Sequence, residues 1–264
     1  MPALQKTIAH GRTADVFLWD DAHILKLFHA WFNQENIQYE QALARAVHAS
    51  GVKSPKVGEI IQIDNRTGLI YERVPGASML DVLMQKPWRV FDYAHRLARL
   101  HAQMHACILG ANIPDQHWRI RNKIDRTDAL PASARKDLLN ALARLPGGDR
   151  VCHGDFHPAN VLISGEQETV IDWIDASRGN PLADVARTSI LALGAAESSQ
   201  TPNPFLKAFT KILHSAYLIY YFHLRPGGEN EYRRWLPIAA GARLSEHIPE
   251  LEQWLIRKAT TSVR

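Results

Sequence analysis

The stretch VCHGDFHPANVLI, residues 151–163, places two histidines, an aspartate, a proline and an asparagine between two short apolar runs. The runs read as strand, so the polar residues between them form a loop with one glycine to relax it. A plain turn asks for Gly, Pro, Asn or Asp for backbone reasons. It has no use for a carboxylate, Asp155, followed five residues later by a carboxamide, Asn160. The pair marks a loop that handles charge.

A second strand is expected after the SGEQE turn, and it runs into TVIDWID at 169–175. Two strands joined by a tight turn bring Asp172 back beside the start of the loop. Two carboxylates and one carboxamide then converge. Hard oxygen ligands in that number suit Mg²⁺, which fills the rest of its octahedron with water and phosphate oxygens. The remaining carboxylate can accept a proton from an attacking hydroxyl, provided it lies within hydrogen-bond reach.

Upstream of the loop the chain changes texture once. ADVFLWD (14–20), HILKLFH (23–29), KVGEIIQID (56–64) and TGLIYERV (67–74) are rich in β-branched and aromatic residues. They read as strands, with DDAH and DNRTG as hairpin turns. Between the hairpins lies one helix, capped by Asn33, striped by Ile37, Ala44 and Val47, and stopped at Gly51. After VPGAS (74–78) the pattern is helical. Ser78 with Asp81 resembles a capping box, and helices are expected at 91–108, 132–145, about 181–194, 204–224, 229–244 and 247–261. The reading is α+β, with a β-rich domain over 1–74 and a larger, mainly helical one over 75–264. No fixed-period repeat and no low-complexity segment interrupts it.

HGDFHPAN followed by IDW resembles the catalytic loop and metal-binding segment of the aminoglycoside phosphotransferase and choline kinase-like families. These are small-molecule kinases related to protein kinases, whose H-R-D-x-x-x-x-N pattern has the same Asp-to-Asn spacing. Gly154 replaces the arginine of that pattern and DW replaces DFG, both as in the small-molecule branch. The resemblance implies a two-lobed protein kinase-like fold, with a small antiparallel sheet and one helix in the N-lobe and a mainly helical C-lobe. It implies transfer of the γ-phosphate of ATP, with Mg²⁺, to a hydroxyl of a small molecule.

Roles follow from the same resemblance. Asp155 would orient or deprotonate the acceptor hydroxyl, and Asn160 and Asp172 would hold Mg²⁺ against the ATP phosphates. Lys26, in HILKLF, would bind phosphate and pair with a helix glutamate; Glu40 fits that place better than Glu35, which lies in the first turn as helix-dipole decoration. AHGRTADVF (9–17) has one glycine, yet its position makes it the candidate phosphate cover, through the backbone N–H groups of Arg12, Thr13 and Ala14. YERVPG resembles the connector whose backbone binds adenine, here Glu72 to Val74. His153 is expected to brace the loop, His157 to contact loop or substrate, and Asp184, in NPLADVARTSI, to brace the catalytic loop.

Composition excludes other classes. Hydrophobic residues at 46% and charged residues at 22% are an ordinary globular balance. A net charge of +4 is compatible with phosphate ligands but does not amount to a nucleic-acid footprint, and the basic residues form no stripe with interleaved aromatics. Cys107 and Cys152 form no metal-type pair or disulfide framework, as in a reduced cytoplasmic protein. MPALQKTIAHGRTAD lacks the apolar core of a signal peptide, and the most apolar run, 212–224, is too short to span a bilayer. The alternative to a kinase is a non-catalytic nucleotide-binding sensor or partner protein of the same fold. The single-glycine loop favours that alternative, and the full Lys26, Asp155, Asn160 and Asp172 set opposes it. Acceptor contacts are expected around 115–123, 175–178 and 205–240, with Trp118, Arg119, Tyr220, Tyr221 and His223 as candidates. Residues 176–264 carry 11 basic against 7 acidic residues, which disfavours a polycationic antibiotic and favours a neutral or anionic hydroxylated metabolite.

Overall fold

The computed structural model describes residues 6–200 and 203–261. Its elements run β1 (Thr7–His10), β2 (Ala14–Leu18), β3 (His23–Phe28), α1 (Gln34–Ala49), β4 (Val57–Ile63), β5 (Arg66–Glu72) and β6 (Ala77–Ser78). Then come α2 (Met79–Gln85), α3 (Val90–Met104), α4 (Gln116–Asp125), α5 (Ala132–Ala143), β7 (Arg150–Cys152), β8 (Val161–Ser164) and β9 (Gln167–Val170). β10 (Ser177–Gly179) and α6 (Pro181–Glu197), α7 (Pro204–Leu224), α8 (Glu229–Arg243) and α9 (Pro249–Thr260) complete the described chain. Residues pack into two compact units. One takes the chain up to Ser78 together with Val161–Ile174; the other takes Met79–Asn160 and the chain from Asp175 onward. The β8–β9 hairpin, which sequence order puts among the helices, thus packs with the sheet unit.

In the sheet unit five antiparallel strands lie in the order β1-β2-β3-β5-β4. β3 is central, bonded to β2 and β5. Its side chains alternate: Leu25 and Leu27 are buried, and Phe28 joins Ala14, Leu69 and Ile37 of α1 in a core that Phe32 and Tyr71 extend. Lys26, one period-two step from Phe28, shares that strand face, so a cation is placed at the margin of an apolar layer. Asn33 caps α1 by accepting from the Glu35 N–H at 2.8 Å, as the sequence leads one to expect. β6 pairs with β8 and β8 with β9, with Val161 opposite Val170. Gly76 in the connector has φ 118°, and a Cβ there would collide with the Ile163 carbonyl oxygen, so only glycine fits.

In the helical unit Tyr217 and Tyr221 of α7 and Trp235 of α8 are fully buried. β7 pairs with β10 and leads directly into residues 153–160. α4 was not assigned from the sequence. Asp115 caps it, accepting from the Trp118 N–H at 3.1 Å. Among the described residues no helix is long and apolar enough to cross a membrane.

Candidate active site

Within the sheet unit three charged side chains meet. Lys26 Nζ lies 2.8 Å from Glu40 Oε1 and 3.5 Å from Asp172 Oδ1. Glu40 is buried on α1 and also accepts from the Tyr71 hydroxyl at 2.8 Å. Burial opposes the charge on Lys26, but the carboxylates of Glu40 and Asp172 more than offset it, so the lysine is held more firmly protonated than usual. Glu35 stays in the first turn of α1, away from this group, and is exposed. Asp172 differs from Glu40 in kind. Its side chain is 46% exposed and its backbone sits at φ 63°, a left-handed conformation rare outside glycine and tolerated by Asp. Such outliers concentrate where a side chain must be aimed. Asp172 lies two residues past Val170, the partner of Val161, and Asn160 immediately precedes Val161. The hairpin expected from the sequence is therefore present.

Within the helical unit the loop after β7 is held from behind by Asp184 of α6. Its Oδ2 accepts from the His153 N–H at 2.6 Å and its Oδ1 from the Gly154 N–H at 2.8 Å. Asp184 therefore braces the loop, as expected. The single glycine is explained as well: Gly154 has φ 78°, and a Cβ would fall 2.5 Å from the Asp175 carbonyl oxygen. Sequence reasoning missed the layer beneath. His101 and His105 of α3 place Nε2 at 3.1 and 3.3 Å from Asp184 Oδ2, and their Nδ1 atoms lie 2.6 and 2.7 Å from the hydroxyls of Tyr217 and Tyr221. Each tyrosine donates to its histidine, and each histidine, neutral, donates to the carboxylate. Burial, and for His105 the neighbouring His101, lowers both imidazole pKa values, that of His105 to about 3. These three side chains are close enough for a metal, but their lone pairs and protons already serve one another and the loop. The spacing of the two histidines, four residues apart on the buried face of one helix, was the signal available.

Asp155 stands at the tip of this loop. Its N–H donates to His153 Nδ1 at 3.2 Å, consistent with a bracing histidine. His157 Nε2 lies 3.4 Å from one carboxylate oxygen and Arg187 Nη2 3.6 Å from the other. Arg187 is fixed in turn, donating from Nε to the Gly154 carbonyl at 2.9 Å and pairing with Glu246 at 2.6 Å. Partial burial raises the pKa of Asp155, but the His157 hydrogen bond and the Arg187 charge prevail and hold it below the usual carboxylate range. A carboxylate so reluctant to protonate accepts a hydrogen bond and orients its donor; it is a poor store for a proton. Asn160 donates from Nδ2 to the Asp155 carbonyl at 3.0 Å, which leaves its carboxamide oxygen as the atom to offer a cation. A carboxamide oxygen here and the exposed carboxylate of Asp172 in the sheet unit are both hard donors of the kind Mg²⁺ selects.

The remaining candidates fare unevenly. Gly11 N–H closes the β1–β2 turn on the Ala14 carbonyl at 2.9 Å, with Arg12 exposed beside it and the Thr13 carbonyl accepting from His29 N–H. In the connector the Glu72 and Arg73 N–H groups donate to the Lys56 and Ala22 carbonyls, which leaves the Val74 N–H as the backbone donor to offer there. Tyr221 is core, as is normal for aromatics at helical spacing; Tyr220 packs on His95, and His223 is exposed. Trp118 is exposed and Arg119 lines a pocket with Lys123 and Arg187.

The sequence model of the phosphotransferase enzyme family (APH) matches residues 5–224. The chain belongs to that family. Its solved relatives in fold include a thermostable mutant of aminoglycoside phosphotransferase APH(4)-Ia in apo form, at 17% identity and TM-score 0.66, covering 97% of this chain and 95% of that one. Amicoumacin kinase hAmiN in complex with AMP-PNP, Ca²⁺ and Ami aligns over 100% of this chain and 90% of that one, at 15% identity and TM-score 0.66. A choline/ethanolamine kinase family protein from Mesorhizobium loti covers 97% and 86%, at 16% identity and TM-score 0.59. No curated protein matches the chain in sequence. The phosphotransferase fold expected from the HGDFHPAN motif, mixed α and β with a five-stranded antiparallel sheet and a helical part, is the one found.

Proposed function

We propose that this phosphotransferase moves the γ-phosphate of ATP to a hydroxyl group of a small molecule, with Mg²⁺. The observation that carries the reading is the Lys26, Glu40 and Asp172 group. One carboxylate is buried and fixes the lysine, whereas the other is exposed and aimed by a strained backbone. A purely structural ion pair has no need of the second. Lys26 would neutralise phosphate oxygens, and the Val74 N–H would meet the adenine edge. The β1–β2 turn at Arg12 and Thr13 would cover the phosphates. The cation, held by Asp172 and the Asn160 oxygen, would supply charge neutralisation at the phosphates. The nucleotide analogue and divalent cation bound by amicoumacin kinase support this assignment.

Asp155 would accept a hydrogen bond from the acceptor hydroxyl and point its oxygen at the γ-phosphorus. The acceptor oxygen bonds to phosphorus, the bond to the β,γ-bridging oxygen breaks with its electron pair leaving on ADP, and the hydroxyl proton departs to water. The low proton affinity of Asp155 suits such a reaction, because phosphoryl transfer depends on positioning and charge neutralisation more than on early deprotonation. Calorimetry of Asp172→Ala tests the metal role. Its affinity for ATP should lose the dependence on Mg²⁺ that the parent shows. Equal Mg·ATP affinity in the two proteins would remove Asp172 from the metal site.

A further inference from the structure

Resting on that kinase reading, we propose that the acceptor is a compact alcohol that carries an anionic group, a carboxylate or a phosphate monoester, docked on Arg119 and Lys123 of α4. The helical unit holds a pocket whose wall includes Gly154, the neighbour of Asp155. Arg187 joins the pocket to the reacting end of the loop, touching both the Gly154 carbonyl and Asp155. Its apolar side is Ile120, Ala183, Trp235 and Ala239, suited to a short carbon skeleton.

The charges on the wall decide the class of ligand. Two carboxylates line the pocket, Asp175 and Asp184. Asp184 is fully buried and occupied by two loop N–H groups and two histidines. Asp175 has both Arg119 Nη1, at 3.3 Å, and Lys123 Nζ, at 3.2 Å, on the same Oδ1 atom. Behind the wall Glu246 is paired with Arg187 and lies 3.6 Å from Arg243. An ammonium group would meet three cations and carboxylates that already have partners, Asp175 through its Oδ1. An anion would share Arg119 and Lys123 with Asp175. The Lys123 ammonium carries three N–H donors and is about one-third exposed, with one carboxylate oxygen as its partner. Arg119 and Lys123, four residues apart on α4, present their heads side by side, as a two-oxygen anion requires.

The test compares acceptors matched in everything but charge, using the full chain with Mg·ATP. Glycerate is set against glyceramide, glycerol 3-phosphate against glycerol, and kanamycin supplies the polycation. The parent should phosphorylate at least one anionic member with kcat/KM about tenfold or more above its neutral partner, and should leave kanamycin the poorest acceptor. Which pair responds tells carboxylate from phosphate. Lys123→Met should shrink that preference to about twofold through KM, Lys123→Arg should restore it, and Lys123→Glu should invert it toward the cation. A parent that prefers the neutral or cationic member overturns the inference, as does a Lys123→Met protein with the preference intact. In both cases transfer still occurs, so the kinase reading stands. Phosphorylation of no member in either charge class, with ATP consumption indifferent to Asp155→Asn, would instead overturn the kinase reading and this inference with it.

Discussion

Two carboxylates of this phosphotransferase sit in well-made polar groups and do opposite work. Asp184, in the helical unit, is fully buried, and its partners are two backbone N–H groups and two histidines whose basicity burial lowers. Asp172, in the sheet unit, is half-exposed, has a protonated lysine beside it, and is set on left-handed backbone. A buried charge surrounded by fixed dipoles shapes the backbone and has no capacity left for a ligand. A half-exposed charge with one loose partner at 3.5 Å keeps its capacity. Burial together with partner type, rather than residue type, separates the aspartate that is fully engaged from the one with capacity left for a ligand.

The largest effect expected from breaking this contrast is at Asp184. Asp184→Ala leaves two loop N–H groups and two imidazole N–H groups without their acceptor. Urea unfolding should show a loss of about 3–5 kcal/mol. Stability within about 1 kcal/mol of the parent would mean that the network is not what holds the loop.

Acid should expose the same difference. His105 and His214, both in the helical unit, have pKa values lowered from 6.5 to about 3 and about 4, His214 by burial alone. A histidine depressed in the fold is neutral there and protonates on unfolding, so the unfolded state binds more protons between those values and 6.5. Stability is therefore present near neutrality and lost as pH falls through that window, by about 1.4 kcal/mol per pH unit for each such group. His214 Nε2 is buried and has no hydrogen-bond partner among the described residues. His214→Leu should consequently flatten the fall in Tm between pH 6.5 and 4.5. An unchanged slope would show that His214 does not titrate with unfolding.

The smallest effect separates the two α1 glutamates. Glu35→Gln, at an exposed first turn, should shift stability by about 0.5 kcal/mol. It should change turnover by less than about twofold, since Lys26 pairs with Glu40 and Asp172 and Glu35 stays exposed in the first turn. Glu40→Gln, which removes the buried partner of Lys26, should lower kcat/KM by about tenfold or more. Similar kinetics for both variants would dissolve the distinction.

The parts of this site that the sequence made legible share a physical reason. HGDFHPAN is conspicuous because its polar side chains lie between apolar strands, where local structure does not call for them. Lys26 and Glu40 were legible through the family resemblance, which expects a strand lysine paired with a helix glutamate, and Asn33 marked where that helix begins. What escaped depended on packing across the chain. His101 and His105 passed for ordinary positions on an amphipathic helix, because their partners Tyr217 and Tyr221 lie more than a hundred residues away. α4 was passed over because QHWRIRNKID is largely polar, although Asp115 offered a cap and Ile120 and Ile124 a one-turn apolar pair. The stretch 115–123 is nonetheless expected from the sequence to contact the acceptor, and Arg119 and Lys123 within it line a pocket. The β8–β9 hairpin follows the loop in sequence but packs with the sheet unit, a grouping that chain order conceals.

The assignment of Asp155 as the acceptor-orienting carboxylate is tested most directly by single-turnover transfer from Mg·ATP in Asp155→Asn, measured beside Mg·ATP affinity on the same protein. An amide keeps the size of the side chain and loses the charge that Arg187 and His157 hold in place. Affinity should stay within about threefold of the parent, while the transfer step slows by about 10²-fold or more. Transfer at the parental rate, with affinity unchanged, would contradict the assignment.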